Sequence, residues 1–339
     1  MIAFDSMDSL RLSRIAGRFA GQRILVVGDL MLDEFLWGKV SRISPEAPVP
    51  VVEITSESYY PGGAANVARN VREFTASTAL MGIAGTDSRG VHLLELLAEG
   101  GLDTASVQRD AARATTVKTR VIARNQQVVR VDRERKEPLT PAQTQLAIDH
   151  LAGCMAHLDG IIVADYGKGF LTQPLADAIC SIAKQYGKIL TVDPHPHTSL
   201  AWTGATVIKP NRIEAFLAAG LAPTDTDDPV LHGEAVMEVG QRLLQRWQTR
   251  SILITLGERG MVLFESGQPP YYTPTRAKDV FDVSGAGDTA ISVLTLALCA
   301  GATPTEAAEL ANRASGIVVG KLGTATVTMA ELQSSLADT

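Results

Sequence analysis

Short apolar runs alternate with helical patterns along most of the chain. The first run, RILVVG, occupies residues 23–28, and similar runs follow at 78–84, 160–164, 189–192, 205–208 and 251–255. Apolar residues recur at helical spacing in the intervening stretches 64–74, 141–157, 175–186, 212–219 and 234–247. Continuous apolar strands between helices are typical of a mostly parallel sheet that helices cover on both faces. The pattern therefore predicts an α/β fold.

Two stretches, residues 34–60 and 115–133, depart from this rhythm. The first contains three prolines and alternates polar with apolar residues. The second alternates at period two on both sides of Asn125 and Gln126, which indicates a hairpin. Together they predict a small antiparallel sheet outside the main one, placed as a lid over a substrate. Because no repeat or flexible linker interrupts the pattern, we expect residues 1–339 to form one domain.

Composition narrows the class of partner. The formal net charge of −6 argues against nucleic acid, whose phosphate backbone requires a basic surface. The apolar stretch 290–300 is too short to span a membrane, and the amphipathic first 19 residues do not resemble a signal peptide. Three cysteines without a CxxC pair indicate reduced thiols. We therefore expect a cytoplasmic protein that binds small molecules, including anions held by a few local basic residues.

The strongest local motif is DVSGAGD at residues 282–288. Gly285, Ala286 and Gly287 begin an apolar helix, whose free N–H groups and positive dipole end favour a phosphate group. Asp288 lies in the first turn, where its carboxylate can accept the proton of an attacking hydroxyl. The alternative is an ordinary glycine-rich turn in which Asp288 caps the helix. The absence of both GxxxxGK[ST] and GxGxxG disfavours a Walker-type or Rossmann nucleotide site.

Two further motifs follow predicted strands. In NRIE at 211–214, Asn211 begins a helix and Glu214 could hold Mg²⁺, directly or through water. The pair is equally well explained as a helix cap. In TLGERG, the turn formed by Thr255, Gly257 and Gly260 could pass close to a nucleotide or could simply be tight.

Polar residues near the first strand suggest a sugar site. Asp29 and Asp33 are predicted to end that strand, where α/β folds bind ligands, although Asp29 could instead only cap the following turn. Gly62 and Gly63 allow a ligand to approach the backbone, and Asn66 adds a donor and an acceptor. Close packing of helix against sheet is the alternative for this glycine-rich segment.

Basic residues suggest that the substrate already carries a phosphate. Lys118 and Arg124 lie on the predicted lid, and Lys168 stands between glycines in DYGKG. We expect these three residues to hold the phosphate. For Arg120 and Arg130 individually, a solvated charged face is the favoured interpretation.

Taken together, these motifs resemble the ribokinase/PfkB superfamily of carbohydrate kinases over residues 23–327. GGAAN at 62–66, NRIE at 211–214 and DVSGAGD at 282–288 are similar to the three signatures of that superfamily. The resemblance implies a ribokinase-like fold, ATP and Mg²⁺ as cofactors, and a homodimer. It further implies that Asp288 is the catalytic base, that the 285–287 turn is the anion hole, and that Asp282 lies at a monovalent-cation site for K⁺.

Longer runs at 28–33, 41–52, 124–127 and 319–324 resemble bacterial D-glycero-D-manno-heptose 7-phosphate kinases. This narrower resemblance implies phosphorylation of the C1 hydroxyl to the 1,7-bisphosphate, for ADP-heptose and lipopolysaccharide core synthesis. Another sugar or sugar phosphate, or a non-catalytic sugar-sensing role, is the alternative.

Two departures from that narrower group matter. His195 stands where such kinases often have lysine, so we assign Lys209 as a replacement contact to the nucleotide phosphates, and we place Asn312 at the nucleotide site as well. Many relatives also fuse a C-terminal nucleotidylyltransferase, of which the sequence has no sign. We therefore expect a separate nucleotidylyltransferase to act downstream.

Overall fold

The computed structural model describes residues 8–124, 126–223, 234–277, 280–321 and 323–337. Its helices are α1 (Ser9–Ala16), α2 (Ala64–Arg72), α3 (Ser88–Glu99), α4 (Pro141–Cys154), α5 (Gln173–Gln185), α6 (Arg212–Ala218), α7 (Glu234–Trp247), α8 (Ala286–Cys299), α9 (Pro304–Val318) and α10 (Met329–Ala337). Its strands are β1 (Ile24–Gly28), β2 (Leu30–Ile43), β3 (Pro50–Gly63), β4 (Thr78–Gly85), β5 (Asp103–Asp110), β6 (Thr116–Ala123), β7 (Gln126–Arg133), β8 (Gly160–Ala164), β9 (Ile189–Asp193), β10 (Val207–Ile208), β11 (Ser251–Thr255), β12 (Met261–Glu265) and β13 (Tyr271–Thr273).

The main sheet has nine strands in the order β13-β12-β11-β10-β9-β8-β1-β4-β5. All neighbours from β5 to β11 run parallel, and only β12 and β13 add antiparallel pairings at one edge. The prediction of a mostly parallel sheet is therefore confirmed. The sequence pattern did not identify β5, because this edge strand is half-exposed and reads DTASVQRD, without a continuous apolar run.

Helices cover both faces of the main sheet, as predicted. Along β1, Ile24 and Val26 point into one core while Leu25 and Val27 point into the other, as the two-residue period of a strand requires. The first core is completed by apolar residues of α1, α2, α3, α8, α9 and α10. The second core is completed by α4, α5, α6 and α7. Among the residues that the structure describes, no helix combines the length and apolarity needed to cross a membrane.

A second, four-stranded sheet forms the predicted lid, in the order β3-β2-β6-β7. Its outer pairs, β2 with β3 and β6 with β7, are antiparallel, and the central pair of β2 with β6 is parallel. Residues 34–60 and 115–133 fall within it, but β2 already begins at Leu30 and β3 runs directly into α2. The predicted hairpin between β6 and β7 is present, with position 125 of its turn outside the described residues. The lid therefore begins at the carboxyl ends of the central strands of the main sheet, where β1 ends.

Candidate active site

Polar side chains converge where the central parallel strands end. Asp29 follows β1, Asp165 follows β8, Asp193 ends β9 and Lys209 follows β10, while the first turn of α8 lies among them. The carboxyl ends of parallel strands form the crevice in which α/β folds bind ligands. Most residues predicted to bind the sugar or the phosphate groups therefore lie at the carboxyl ends of the central strands of the main sheet.

The glycine turn at 285–287 leaves the start of α8 open. Gly285 is the N-cap residue in a left-handed conformation, with a φ of 81°, and no side chain of the described residues caps this helix end. A methyl group added to Gly285 would lie 3.4 Å from Asn66 Nδ2, and one added to Gly287 would lie 3.6 Å from Lys209 Nζ. The turn thus lies between an amide and an ammonium group, and its N–H groups can receive an anion.

Two hydrogen bonds hold the Asp288 carboxylate. Asn66 Nδ2 donates to Oδ2 over 2.7 Å, and the Tyr166 hydroxyl donates to Oδ1 over 2.6 Å. Burial raises the pKa of Asp288, while the bonds from Tyr166 and Asn66 and the charge of Lys209 oppose that rise. Its side chain therefore faces the crevice rather than capping α8. Sequence reasoning missed Tyr166, although it lies in the DYGKG segment that drew attention to Lys168.

Asn66 contacts Asp288 through its side-chain amide nitrogen. Its side chain is buried, and within the described residues its Oδ1 has no hydrogen-bond partner. A buried acceptor without a partner is costly unless a ligand satisfies it. Asn66 can therefore hold Asp288 with its amide nitrogen and accept a sugar hydroxyl with its amide oxygen.

Lys209 is a buried cation beside the glycine turn. Its Nζ lies 3.0 Å from Asp193 Oδ1, and the side chain is almost entirely enclosed. Burial lowers the pKa of Lys209, but the carboxylates of Asp193 and Glu214 outweigh that effect and the net pKa is raised. Burial raises the pKa of Asp193 to about 7, against the opposing effect of Lys209. A fixed positive charge thus stands next to the glycine turn.

Asn211 and Glu214 form a reciprocal cap at the start of α6. The Glu214 N–H donates to Asn211 Oδ1 over 2.9 Å, and the Asn211 N–H donates to Glu214 Oε2 over 2.7 Å. The capping interpretation of NRIE is therefore observed. Burial raises the pKa of Glu214, and Lys209 and Asn211 oppose it. The cap fixes the Glu214 carboxylate within electrostatic reach of Lys209.

Asp29 is engaged by the loop after β8. Its Oδ2 accepts from the backbone N–H groups of Tyr166 and Lys168, and its Oδ1 accepts from that of Phe170, each over 3.0 Å. The carboxylate therefore caps a distant loop through three backbone amides, and not the turn that follows Asp29 in the chain. The carboxylate is buried and holds the loop that carries Tyr166.

Asp33 lies in the lid strand β2 rather than at the end of the first strand, because Asp29 separates β1 from β2. Arg120 Nη1 contacts Asp33 Oδ1 over 2.5 Å, and the guanidinium lies over the Phe35 ring at 5.1 Å from its centroid. A methyl group on Gly62 would lie only 2.3 Å from Asp33 Oδ2. A side chain at position 62 would therefore displace the Asp33 carboxylate.

The prediction of a solvated face is wrong for Arg120 and confirmed for Arg130. The Arg120 side chain is 23% exposed and joins β6 to Asp33, whereas the Arg130 side chain is 50% exposed and pairs with Asp132 on its own strand. The sequence could not distinguish them, because both occupy alternating positions of one hairpin. The difference arises from the pairing of β6, and not β7, with β2.

Lys118 and Lys168 each pair with a carboxylate on or just after β7. Lys118 Nζ lies 3.2 Å from Asp132 Oδ2, and Lys168 Nζ lies 2.5 Å from Glu134 Oε2. Lys168, and to a smaller extent Lys118, lower the pKa of Glu134.

Arg124 is not brought to the same place. It is exposed at the end of β6, where its Nη2 lies 3.4 Å from the Val40 carbonyl oxygen. Arg124 stands four residues beyond Arg120, which corresponds to about 13 Å along a strand.

The remaining residues predicted for the nucleotide, Thr255, Gly257, Gly260 and Asn312, lie towards the β11–β13 side of the main sheet. Gly257 and Gly260 have φ values of 61° and 91°, and a methyl group on Gly260 would lie 2.1 Å from the Thr273 carbonyl oxygen. Asn312 Nδ2 donates to Thr273 Oγ1 over 2.9 Å and to the Pro274 carbonyl over 2.6 Å. Gly260 and Asn312 therefore fix the segment after β13. Thr255, at the end of β11, pairs with Asn211 in an isolated bridge.

Asp282 ties two loops together. Its carboxylate accepts from the N–H groups of Ser284, over 2.8 Å, and Gly323, over 3.2 Å. The N–H groups of Phe281 and Asp282 in turn donate to the Val319 carbonyl oxygen. The loop before α8 is thus held by the segment after α9.

The architecture is that of the ribokinase-like carbohydrate kinases. The fold matches *Arabidopsis thaliana* ribokinase complexed with ribose and ATP, with a TM-score of 0.67 at 16% identity over 93% of this chain and 98% of that one. It also matches *Escherichia coli* phosphofructokinase-2 in complex with substrates and products, with a TM-score of 0.73 at 18% identity over 94% of this chain and 99% of that one. At these identities the likeness establishes the fold alone.

The family profile described as pfkB family carbohydrate kinase matches residues 22–331, and the chain belongs to that family. This confirms the predicted class, an ATP-dependent carbohydrate kinase. The chain is 46% identical over 321 residues to bifunctional protein HldE of *Desulfatibacillum aliphaticivorans*, covering 94% of this chain and 64% of that protein. It is 44% identical over 322 residues to bifunctional protein HldE of *Caulobacter vibrioides*, covering 95% of this chain and 65% of that protein. The chain thus spans less than two thirds of the length of these relatives.

Proposed function

We propose that the protein phosphorylates the C1 hydroxyl of D-glycero-D-manno-heptose 7-phosphate with ATP, yielding the 1,7-bisphosphate for ADP-heptose and lipopolysaccharide core synthesis. The transfer itself is supported by one observation above all: the Asp288 carboxylate is held beside an open helix N-terminus. The choice of substrate is supported by the long runs that resemble heptose 7-phosphate kinases and by the relatives named HldE.

In this mechanism Asp288 accepts the proton of the C1 hydroxyl as its oxygen attacks the γ-phosphorus. The 285–287 amides and the Lys209 ammonium offset the negative charge that develops on the transferred group. Asn66 holds the base and offers its Oδ1 to a sugar hydroxyl. Gly63 and Asp33 line the sugar side. Catalysis is then mainly positioning and electrostatics.

The 7-phosphate is proposed to bind between Lys118 and Lys168. Lys168 pairs with Glu134, and the charge of Lys118 also lowers the pKa of that carboxyl, so this region favours an anion. A phosphate would replace carboxylate partners with more negative charge and more acceptor oxygens. Arg124 could join only through movement of the lid, because it lies at the far end of β6.

ATP is proposed to lie between the glycine turn and the segment fixed by Gly260 and Asn312, with Lys209 near its phosphates. Within the described ranges, no three or more His, Cys, Asp or Glu residues form a group that could hold a metal ion. We propose that Mg²⁺ is held mostly by nucleotide phosphates and water, with the Glu214 carboxylate nearby. Mg²⁺ would supply charge neutralisation there. Asp282 is proposed to mark a K⁺ position between its two loops.

A homodimer formed through the lid is also proposed. Val128, Val129 and Val131 are exposed on β7, an edge strand that can pair with another copy. The chain is proposed to work as one domain in the cytoplasm, on small molecules only. A nucleotidylyltransferase activity would then consume its product.

The test is ADP release with ATP and Mg²⁺ against D-glycero-D-manno-heptose 7-phosphate, fructose 6-phosphate, ribose and no sugar. Release that depends strongly on the heptose supports the proposal, and mass spectrometry of the product should show a bisphosphate. Preference for another sugar would leave the mechanism but reject the substrate. Absence of release with every sugar would favour the non-catalytic alternative.

A further inference from the structure

We propose that Tyr166 is a positioning residue that orients the Asp288 base and keeps it ionised in its enclosed site. This inference rests on the proposed role of Asp288. The hydroxyl of Tyr166 donates to Asp288 Oδ1 over 2.6 Å, across 122 residues of chain. Asn66 occupies the other oxygen, so both carboxylate oxygens have a fixed donor and the carboxylate plane cannot rotate freely.

The loop that carries Tyr166 is itself clamped. The Tyr166 backbone N–H donates to Asp29 Oδ2, as does that of Lys168, and the Phe170 N–H donates to Asp29 Oδ1. Asp29 is 1% exposed, so these bonds are shielded from water. Asp29 at the end of β1 therefore fixes the loop after β8, and that loop places the phenol against α8.

Asp288 needs such a donor because its surroundings disfavour its charge. Burial raises its pKa, and Asp33 from β2 and Asp193 from β9 are carboxylates that face the same site. Lys209, after β10, brings a positive charge, but Asp193 already pairs with it. A protonated Asp288 could not accept the hydroxyl proton. Hydrogen bonds to the ionised form favour it over the neutral form.

The experiment is the pH dependence of single-turnover phosphoryl transfer in Tyr166→Phe. The substitution keeps the ring and removes the donor, so the pKa of the acid limb should rise by about one unit. Turnover should fall about tenfold below that limb and recover towards wild type at high pH. The KM for ATP should stay unchanged, since Tyr166 acts through the base.

The chain offers a matched control. Tyr271 also donates its hydroxyl to a carboxylate, Glu309 Oε1, over 2.7 Å, but it lies on β13 away from Asp288. Tyr271→Phe should lose a bond of the same kind and leave the pH profile in place. If Tyr166→Phe does not fold, a fluorinated tyrosine at position 166 keeps the shape with a stronger donor, and the acid limb should move to lower pH.

The outcomes separate this inference from the proposed function. An unchanged acid limb in Tyr166→Phe, or in the fluorinated enzyme, would overturn the role of Tyr166 while Asp288→Asn stays inactive. An active Asp288→Asn enzyme would instead remove Asp288 as the base. A shifted limb in Tyr166→Phe, with Tyr271→Phe unchanged, supports the assignment.

Discussion

The carboxylates at the carboxyl ends of the main-sheet strands and those beside the lid have pKa values that are shifted in opposite directions. Burial raises the pKa of Asp165 to about 6 and that of Asp193 to about 7 at the sheet edge, and it raises that of Asp288 there too. On the lid, the pKa of Glu134 is lowered, chiefly by Lys168. Burial also raises the pKa of Asp132, but Arg130 and Lys118 outweigh it and the net pKa is lowered.

This difference indicates that the two regions serve different steps of the reaction. The sheet edge holds its charges where water cannot screen them, and such preorganised groups are suited to stabilise charge that develops during a reaction. The lid keeps its charges half-solvated in pairs, which can exchange partners when an anionic ligand arrives. We therefore expect changes at the sheet edge to affect turnover and changes on the lid to affect substrate affinity.

The largest expected effect is that of Asp288→Asn. Without the base, turnover should fall about 10²- to 10⁴-fold, because the amide cannot accept the hydroxyl proton. ATP binding, measured by calorimetry, should stay close to wild type. Asp149→Asn, at an exposed site on α4, is the control and should change neither quantity. Near-normal turnover in Asp288→Asn would contradict the proposed mechanism.

Lys209→Met should have the next largest effect. Loss of the cation beside Gly287 should lower turnover about 10²-fold, by analogy with the loss of one donor at a site of developing charge. It also leaves Asp193 buried without its partner, which should lower the melting temperature.

The double variant Lys209→Met/Asp193→Asn separates the two causes. It removes both charges of the pair, so the melting temperature should recover while turnover stays low. Recovery of both would show that Lys209 acts only through stability.

Arg120→Ala tests the lid. Because Arg120 joins β6 to Asp33, its loss should raise the KM for the sugar about tenfold with a smaller change in kcat. Arg130→Ala removes an exposed arginine of the same sheet and should leave both constants within about twofold of wild type. Equal effects from the two variants would argue against a specific role for Arg120.

The smallest expected effect concerns pH and stability. The folded-state pKa of Asp165, about 6, lies above its ordinary value of 3.8, so the folded state holds the proton more tightly. Stability should therefore fall as pH rises from about 4 to about 6. Asp165→Asn should remove this pH-dependent loss of stability. It should therefore raise the melting temperature at pH 8 by about 2–4 °C, with little change at pH 4. The same gain at both pH values would exclude titration of Asp165 as the cause.

Local patterns predicted much of the fold. The apolar runs located β1, β4, β8, β9 and β11, since a buried parallel strand must be apolar on both faces. Helix α9 was missed although Thr303 and Glu306 form a capping box at its start, a signal visible in TPTE. The edge strand β5 had no comparable signal, because one of its sides is not packed and its composition is therefore polar.

Part of the site could also be predicted. The glycine turn and Asp288 were identified because a helix start with small residues and one acid is a local arrangement. Roles that depend on a distant partner were not. Arg120 was taken for a solvated residue, and its contact with Asp33 spans 87 positions of chain. Asn66 was expected at the sugar, and its partner Asp288 lies 222 positions away.

By itself, the sequence determined an α/β kinase with an open, glycine-rich helix start and an acid in its first turn, because each feature is encoded within a few neighbouring residues. Only the tertiary structure decided which groups tune that acid. Tyr166, Asn66 and Lys209 reach it from three different elements, and parallel strand pairing brings those elements to the same edge. The tertiary structure also decided which lid arginine points inward, because strand pairing acts between segments far apart in the chain.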